Sequence, residues 1–299
     1  MERKGFYNEG LRRYIHSRKN APETGFDGKD LITQFEKVGV YGGGVMSTVP
    51  SAVRDEGTPH ERLDSVLKGC AGFGDRLLPI LRIHPDEPGT LDIIPEAAER
   101  GIRAFKVICN NFYVYEDKSM RMLETIAKTG KPVMFHSGIL WDDTPSSKYN
   151  RPLHWEELCK MPGLRFSLAH CSWPWYDETI ALYGKFLTNH SAHPDENAEM
   201  FFDLTPGTPV PHRKDLYTKL LGCGYDVEHN ILWGTDCNAE GYNYAWTEKW
   251  LKIDNEIMDE IGTIQETREL IFHKNAERFF GLNEDVHKHA VMKPDGTII

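Results

Sequence analysis

Short apolar runs alternate with amphipathic stretches along most of the chain. Seven runs have the length and apolar content of buried strands. Apolar residues at helical spacing occur in the segments between them, and several of these segments end at glycine. Strands that alternate with helices at this spacing predict parallel strands joined by crossovers. The predicted strands cover residues 40–50, 77–84, 102–109, 131–138, 164–171, 200–204 and 230–238.

The helical segments carry recognisable start and stop signals. Thr58 and Glu61 form one predicted capping box, and Thr263 and Glu266 form another. The predicted helices cover residues 11–18, 29–37, 58–69, 95–100, 119–129, 154–160, 177–187, 216–222, 246–261 and 264–280.

Seven strand–helix units follow one another without a break in composition. This pattern favours a (β/α)-barrel of the TIM type over an open doubly wound sheet, because no linker divides the chain. No Gly-x-Gly-x-x-Gly sequence follows any strand, so a dinucleotide-binding fold has no direct support. The predicted organisation is a polar segment over residues 1–28, a barrel over 29–282 and a tail over 283–299.

Composition narrows the choice of partners and compartment. The 299 residues carry a net charge of −10, which disfavours nucleic acid and anionic membranes as partners. The N-terminus is charged, and no apolar run approaches the ~20 residues of a membrane span. Six cysteines without regular spacing indicate free thiols. We therefore expect a cytoplasmic protein that acts on a small molecule.

Three predicted strands end in residues that bind metals or transfer protons. The stretch 131–138 carries His136, the stretch 164–171 carries His170, and the last strand leads to Asp236. Strand ends line the catalytic mouth of such a barrel, so these side chains are expected to converge there. Two imidazoles and a carboxylate suit zinc, with manganese or iron as alternatives. A single histidine at a strand end is more often structural, and spacing alone does not separate the two readings.

Four ordered stretches resemble the signatures of the amidohydrolase superfamily, in particular its amidohydrolase-related group of hydrolases and non-oxidative decarboxylases. They read KPVMFHSG, LRFSLAHC, NILWGTDC and NAERFFGL, and the resemblance covers residues 29–282. It implies an eight-stranded (β/α)8 barrel and a divalent metal. It also implies that His136 and His170 are ligands or site histidines, and that Asp236 is the acid or base beside the metal.

One departure from this family is large. Its first strand ends in His-x-His, which supplies two further ligands, and no such motif occurs in the first 60 residues. The predicted barrel is therefore short of its first strand. Three alternatives would explain this difference. The first is that the chain begins after that strand, and the second is that the protein has lost part of the metal site. The third alternative is that the tail sequence 285–289, DVHKH, replaces it.

Further residues at the same strand ends are candidate substrate contacts. Lys106 ends one strand, where some superfamily members carry a carbamylated lysine, and we favour a contact with a substrate carboxylate. Arginines suit a bidentate grip on a carboxylate, and aromatic loops suit flat substrates or a homodimer contact. The candidates are Arg54, Arg82, Trp141, Arg151 and Trp173.

These observations leave three hypotheses for function. The first is a metal-dependent hydrolase in which activated water attacks an ester, lactone or amide of a small organic acid. The second is a metal-dependent decarboxylase of an aromatic or unsaturated acid. The third is a barrel that has kept its fold and lost its metal site and activity.

Overall fold

A computed structural model describes residues 27–47, 57–193, 198–239 and 241–282. Within these ranges, seven parallel strands pair with their neighbours in chain order. They are β1 (Gly43–Met46), β2 (Leu77–Arg82), β3 (Ala104–Val107), β4 (Val133–Phe135), β5 (Arg165–Leu168), β6 (Glu199–Asp203) and β7 (Ile231–Leu232). This uninterrupted order confirms the curled parallel sheet of a TIM-type barrel, whereas a doubly wound sheet reverses its order at a switch point.

Helical segments alternate with the strands, and most of them cover the outside of the sheet. The α-helices are α1 (Gly28–Glu36), α2 (Pro59–Cys70), α3 (Thr90–Glu99), α4 (Asp117–Lys128), α5 (Tyr176–Ala192), α6 (Val210–Leu221), α7 (Tyr244–Glu260), α8 (Gln265–Glu269) and α9 (Asn275–Phe280). A short π-helix, Leu270–Lys274, joins the last two of these helices. No helix of the described ranges is long and apolar enough to cross a membrane.

Several sequence predictions need local correction. The helix predicted from Pro95 begins at Thr90, so this proline lies inside the helix instead of opening it. The segment 154–160 belongs to a 3-10 helix, Pro152–Lys160. The capping box at Thr58 is present, whereas α8 has Ile264 as its N-cap and no side-chain cap. All six cysteines are free, as predicted. Residues 11–18 and the proposed tail lie outside the described residues.

Side chains along each strand alternate between two apolar clusters. Neighbouring residues of a strand point to opposite faces, so every second residue shares a face. On β3, for example, Phe105 and Val107 join the larger cluster beneath the helices, while Ala104 lies in a smaller cluster inside the barrel. The smaller, interior cluster comprises Leu78, Ile80, Ala104, Met134, Phe201, Leu232, Phe279 and Phe280.

The last helix fills the barrel interior from the end at which the strands begin. Phe279 packs edge-on against Phe201 at 5.0 Å between ring centroids and against Phe280 at 5.2 Å. Phe280 reaches β1, because a Cβ on Gly44 would lie 3.3 Å from its ring. The amide of Asn275 donates to the carbonyls of Glu228 (2.7 Å) and Ile231 (2.9 Å), which fixes the helix against β7. The helix thus contacts both outer strands of the described sheet.

We expect Phe279→Ala to lower the free energy of unfolding by about 3–5 kcal/mol, since it empties a fully buried site between strands and helix. Urea denaturation monitored by far-UV circular dichroism measures this change. Leu91→Ala, at a residue of α3 that is 46% exposed, is the matched control and should change stability by no more than about 0.5 kcal/mol. Equal effects of the two substitutions would contradict the role of the interior cluster.

Candidate active site

A polar layer lies directly above the apolar interior, at the ends of the strands. Arg82, Lys106, His136 and Asp203 each follow a member of the interior cluster by two residues, namely Ile80, Ala104, Met134 and Phe201. Alternation along a strand therefore turns all four toward the barrel axis. The registers pair Arg82 with Lys106 and Lys106 with Met134, so these side chains come from adjacent strands.

The two predicted histidines meet at this layer. The rings of His136 and His170 lie 5.2 Å apart in an edge-to-face arrangement. His136 is buried, and His170, which follows β5, is half-buried. The structure thus brings together two of the three side chains that the strand-end pattern singled out.

The loop after β6 sets the orientation of the His170 ring. Its Nδ1 lies 3.3 Å from the carbonyl oxygen of Thr205 and 3.0 Å from the hydroxyl of the same residue. The tautomer of the ring sets which contact is the hydrogen bond, because an Nδ1–H donates to the carbonyl whereas an unprotonated Nδ1 accepts from the hydroxyl. Gly207 lets this loop approach, since a Cβ there would lie 2.5 Å from Cγ of the ring.

Strained backbone is concentrated at the same strand ends. Among the described residues, four that are not glycine have positive φ: His170 (62°), Cys171 (45°), Ser172 (57°) and Asp236 (51°). Such conformations cost roughly 1–3 kcal/mol each and persist where the surrounding structure enforces them. Strain of this kind gathers at functional sites, so its location supports the strand ends after β5 and β7 as the active site.

Lys106 and Asp203 are an ionisable base and an ionisable acid, both buried in the polar layer. Burial lowers the pKa of the Lys106 ammonium group, an effect opposed by the nearby carboxylates of Asp203 and Asp236. Burial also raises the pKa of the Asp203 carboxyl, which His170, the Thr205 backbone N–H and Lys106 partly offset. Burial thus favours the neutral form of each group, whereas their mutual attraction favours the charged forms.

Asp236 lies at the rim of the site. It is exposed, it follows β7 by four residues, and its charge acts on Lys106. Its position gives the carboxylate access to both solvent and the buried layer, as a proton acceptor for substrate or water requires.

The described donors do not make up a metal site of three protein ligands. Within the ranges that the structure covers, no group of three or more His, Cys, Asp or Glu residues is arranged to hold a metal ion. His136 and His170 supply two adjacent imidazoles, and Asp236 does not complete the set. The roles of these three residues as metal ligands therefore stay predictions.

The other predicted substrate contacts lie in different settings. Arg82, a member of the polar layer, also lines a cleft of about 210 Å³ with Arg62, Ile83, His84, Glu87 and Asn110. Arg151 is exposed and pairs with Glu178 at 2.9 Å. Trp141 is 51% exposed and Trp173 is half-buried, while Arg54 lies outside the described residues.

Two residues of this site were not singled out by the sequence. Asp203 ends the strand that reads MFFDL, in the same pattern of an apolar run followed by an acid that drew attention to Asp236. Thr205 gave no such signal, because a threonine two residues after a strand is common. Its role depends on a contact across strands that only the folded chain shows.

The comparisons place this architecture among known proteins. The family model described as amidohydrolase matches residues 29–282. No curated protein sequence matches the chain.

Solved structures share the fold at low identity. An uncharacterised TIM-barrel protein from Bordetella bronchiseptica aligns with a TM-score of 0.60 and 16% identity, over 93% of this chain and 94% of that one. A probable 2-pyrone-4,6-dicarboxylic acid hydrolase from Acinetobacter baumannii, with citric acid bound, aligns at 0.56 and 13% identity, over 85% and 89%. A 2,6-dihydroxybenzoate decarboxylase from Rhizobium aligns at 0.57 and 14%, over 84% and 87%.

Fold and strand-end chemistry define a barrel enzyme whose reactive groups project from successive parallel strands. The chain belongs to the amidohydrolase family, as the match over residues 29–282 shows. Members of this superfamily typically use divalent metals, and those similar to this chain include both hydrolases and a decarboxylase.

We expect Gly207→Ala to lower the free energy of unfolding by about 1–3 kcal/mol, because the added methyl group collides with the His170 ring. Urea denaturation measures the change. Gly43→Ala is the control, since the nearest atoms to its added Cβ lie 3.8 Å away, and it should leave stability unchanged or raise it by up to about 1 kcal/mol. A Gly207→Ala protein as stable as the control would mean that the loop does not press on the ring.

Proposed function

We propose that this enzyme hydrolyses an ester, lactone or amide of a small organic acid. The observation that carries the proposal is the pair of imidazoles at the barrel mouth, with the His170 ring held at Nδ1 by Thr205. Asp236 stands at the rim and Lys106 within the site, so acid, base and cation come from the ends of β3, β5 and β7.

Each residue has a distinct part in the proposed reaction. Water attacks the carbonyl carbon while Asp236 accepts its proton. That proton then passes through His170 to the leaving oxygen or nitrogen as the carbon–heteroatom bond breaks. Lys106 and Arg82 bind a carboxylate of the substrate, Arg82 through the bidentate geometry of its guanidinium. Trp141, Trp173 and Arg151 are proposed as further substrate contacts.

The metal, the compartment and the partners belong to the same proposal. We propose a divalent metal, with zinc as the first choice and manganese or iron as alternatives, because imidazole and carboxylate ligands suit all three. Such an ion lowers the pKa of bound water when it is present. A cytoplasmic location, a small-molecule substrate and a homodimer formed through the aromatic loops complete the proposal.

Decarboxylation of an aromatic or unsaturated acid is the second candidate. The observation that favours it is the burial of Lys106 and Asp203, only 9% and 2% exposed, because a dry cationic site suits a substrate whose carboxylate is lost as carbon dioxide. The similarity to a 2,6-dihydroxybenzoate decarboxylase supports testing it.

Product analysis in ¹⁸O-labelled water separates the two reactions. We expect a panel of acidic lactones and esters to give products that carry one ¹⁸O atom in the new carboxyl group, without release of carbon dioxide. Carbon dioxide from a panel of aromatic acids, with no ¹⁸O in the other product, would overturn hydrolysis in favour of decarboxylation. No turnover with either panel would support the barrel without activity.

Asp236→Asn should lower kcat by a factor of about 10²–10⁴, because the amide cannot accept the proton of the attacking water. Steady-state kinetics with the substrate found in the panel measures this loss. The control is Glu248→Gln, which neutralises an exposed acid of α7, and it should behave like the wild type. Normal turnover by Asp236→Asn would rule out its assignment as the base.

Removal of metal with a chelator should lower activity, and added zinc should restore it. Elemental analysis of the purified protein measures the metal content, and His136→Ala and His170→Ala should each reduce it. If the protein holds no metal, cannot be loaded with zinc, manganese or iron, and keeps its activity, the metal-dependent mechanism is wrong.

A further inference from the structure

A buried ion pair joins two helices directly behind the active site. Arg213 of α6 meets Asp254 of α7 through two parallel contacts, Nε to Oδ1 at 2.5 Å and Nη2 to Oδ2 at 2.7 Å. Both side chains are 0% exposed. Desolvating two charges costs more than a packed apolar pair of the same size, so stability alone is weak grounds for a buried pair. The other contacts of these two side chains give a reason for the buried pair apart from stability.

Arg213 holds the end of β6. Its Nη2 donates to the carbonyl oxygen of Leu204 at 2.7 Å. Leu204 lies between Asp203 and Thr205, and Thr205 contacts Nδ1 of His170. The guanidinium therefore fixes the turn that orients the His170 ring.

Asp254 holds the end of β7. Its Oδ2 accepts the indole N–H of Trp233 at 2.7 Å, and Trp233 precedes Asp236 by three residues. Helix α7 also contributes Trp246, whose indole N–H donates to the carbonyl oxygen of Thr235 at 3.0 Å. Helix α7 thus grips the segment that carries Asp236 at two points.

The two held segments also touch each other. The N–H of Leu204 donates to the carbonyl oxygen of Leu232 at 2.8 Å, which continues the β6–β7 pairing. A Cβ on Gly234 would lie 2.6 Å from the methyl group of Thr205, so the two turns meet without intervening side-chain volume. A shift of either turn is therefore passed to the other.

We propose that Arg213 and Asp254 are positioning residues, which hold the turn under His170 and the segment carrying Asp236 in one fixed relation. They lie behind the strand ends and act on the reaction through Thr205 and Trp233. The kinetic consequence of this role rests on the proposed function, whereas its structural consequence for His170 does not.

Three changes test the proposal. Trp233→Phe keeps an aromatic ring against Phe272 and removes the N–H that Asp254 accepts. The double variant Arg213→Met/Asp254→Leu replaces both charges by apolar groups of similar size, a change that other buried pairs tolerate in stability. Arg213→Lys keeps the charge but loses the planar fork that reaches Asp254 and Leu204 together.

The matched control breaks an ion pair on the same helix that has no part in the site. Asp259 of α7 pairs with Arg268 at 2.6 Å, and Asp259→Asn removes that charge. Thermal unfolding followed by circular dichroism establishes which variants remain folded, so that kinetic and spectroscopic losses are compared among folded proteins only.

Two measurements decide the outcome. Histidine ring ¹⁵N–¹H correlation spectra, assigned through His170→Gln, should show shifted or broadened His170 signals in all three variants and wild-type signals in Asp259→Asn. With the substrate found in the panel, kcat should fall about 10–100-fold in the three variants while KM stays close to the wild-type value, the loss typical of groups that orient catalytic ligands. Arg213→Lys should show both the altered His170 signals and the lower kcat, although it keeps the positive charge.

Wild-type His170 signals in folded Trp233→Phe and in the folded double variant would overturn the proposal, whatever reaction the enzyme performs. If no substrate is turned over, the hydrolase assignment fails and the spectra still test the positioning role. If the double variant and Trp233→Phe both unfold, the milder substitution Asp254→Asn is measured instead. Altered His170 signals in that variant support the proposal, and wild-type signals overturn it.

Discussion

The structure depends on filling the inside of a barrel whose described strands run in order without returning to the first. Strand side chains alone supply Ile80, Ala104, Met134 and their neighbours, which is one shallow apolar layer. The last helix completes it with Phe279 and Phe280, which pack on Phe201 and reach the glycine-rich first strand. Because protein interiors tolerate few voids, these two rings are needed to complete the packing inside the curved sheet.

The candidate active site is a consequence of the same layering. Once the interior is apolar up to the level of Ala104, Met134 and Phe201, alternation leaves the next inward positions to Lys106, His136 and Asp203. These groups are buried from below by hydrocarbon, which strengthens their mutual electrostatic interactions relative to water. These buried groups are accessible to solvent from the side on which Asp236 lies. The candidate site is therefore closed to water on its apolar side and open to solvent beside Asp236.

Much of this arrangement could be predicted from the sequence, and the limits have physical reasons. Apolar runs that end in His136, His170 and Asp236 revealed the strands and gave the candidate site, because buried strands and their exposed ends differ sharply in composition. The contact between Thr205 and His170 links residues 35 positions apart and needs the β5–β6 register, which no local pattern encodes. The start of α3 ahead of Pro95 was missed because proline ordinarily opens a helix. The Arg213–Asp254 pair resembles two surface charges in sequence, and only the packing of α6 against α7 buries it.

The two outer strands of the described sheet are also its shortest or most irregular. β7 has two residues, and β1 has four, two of them glycine. An edge strand offers its unpaired N–H and carbonyl groups to other chains, and long, flat edges recruit partners into extended sheets. Here each edge presents few such groups, and Phe280 approaches β1 from the barrel interior. Among the described strands, the brevity of β1 and β7 therefore limits the backbone available for edge-to-edge pairing, and lengthening either strand would extend it.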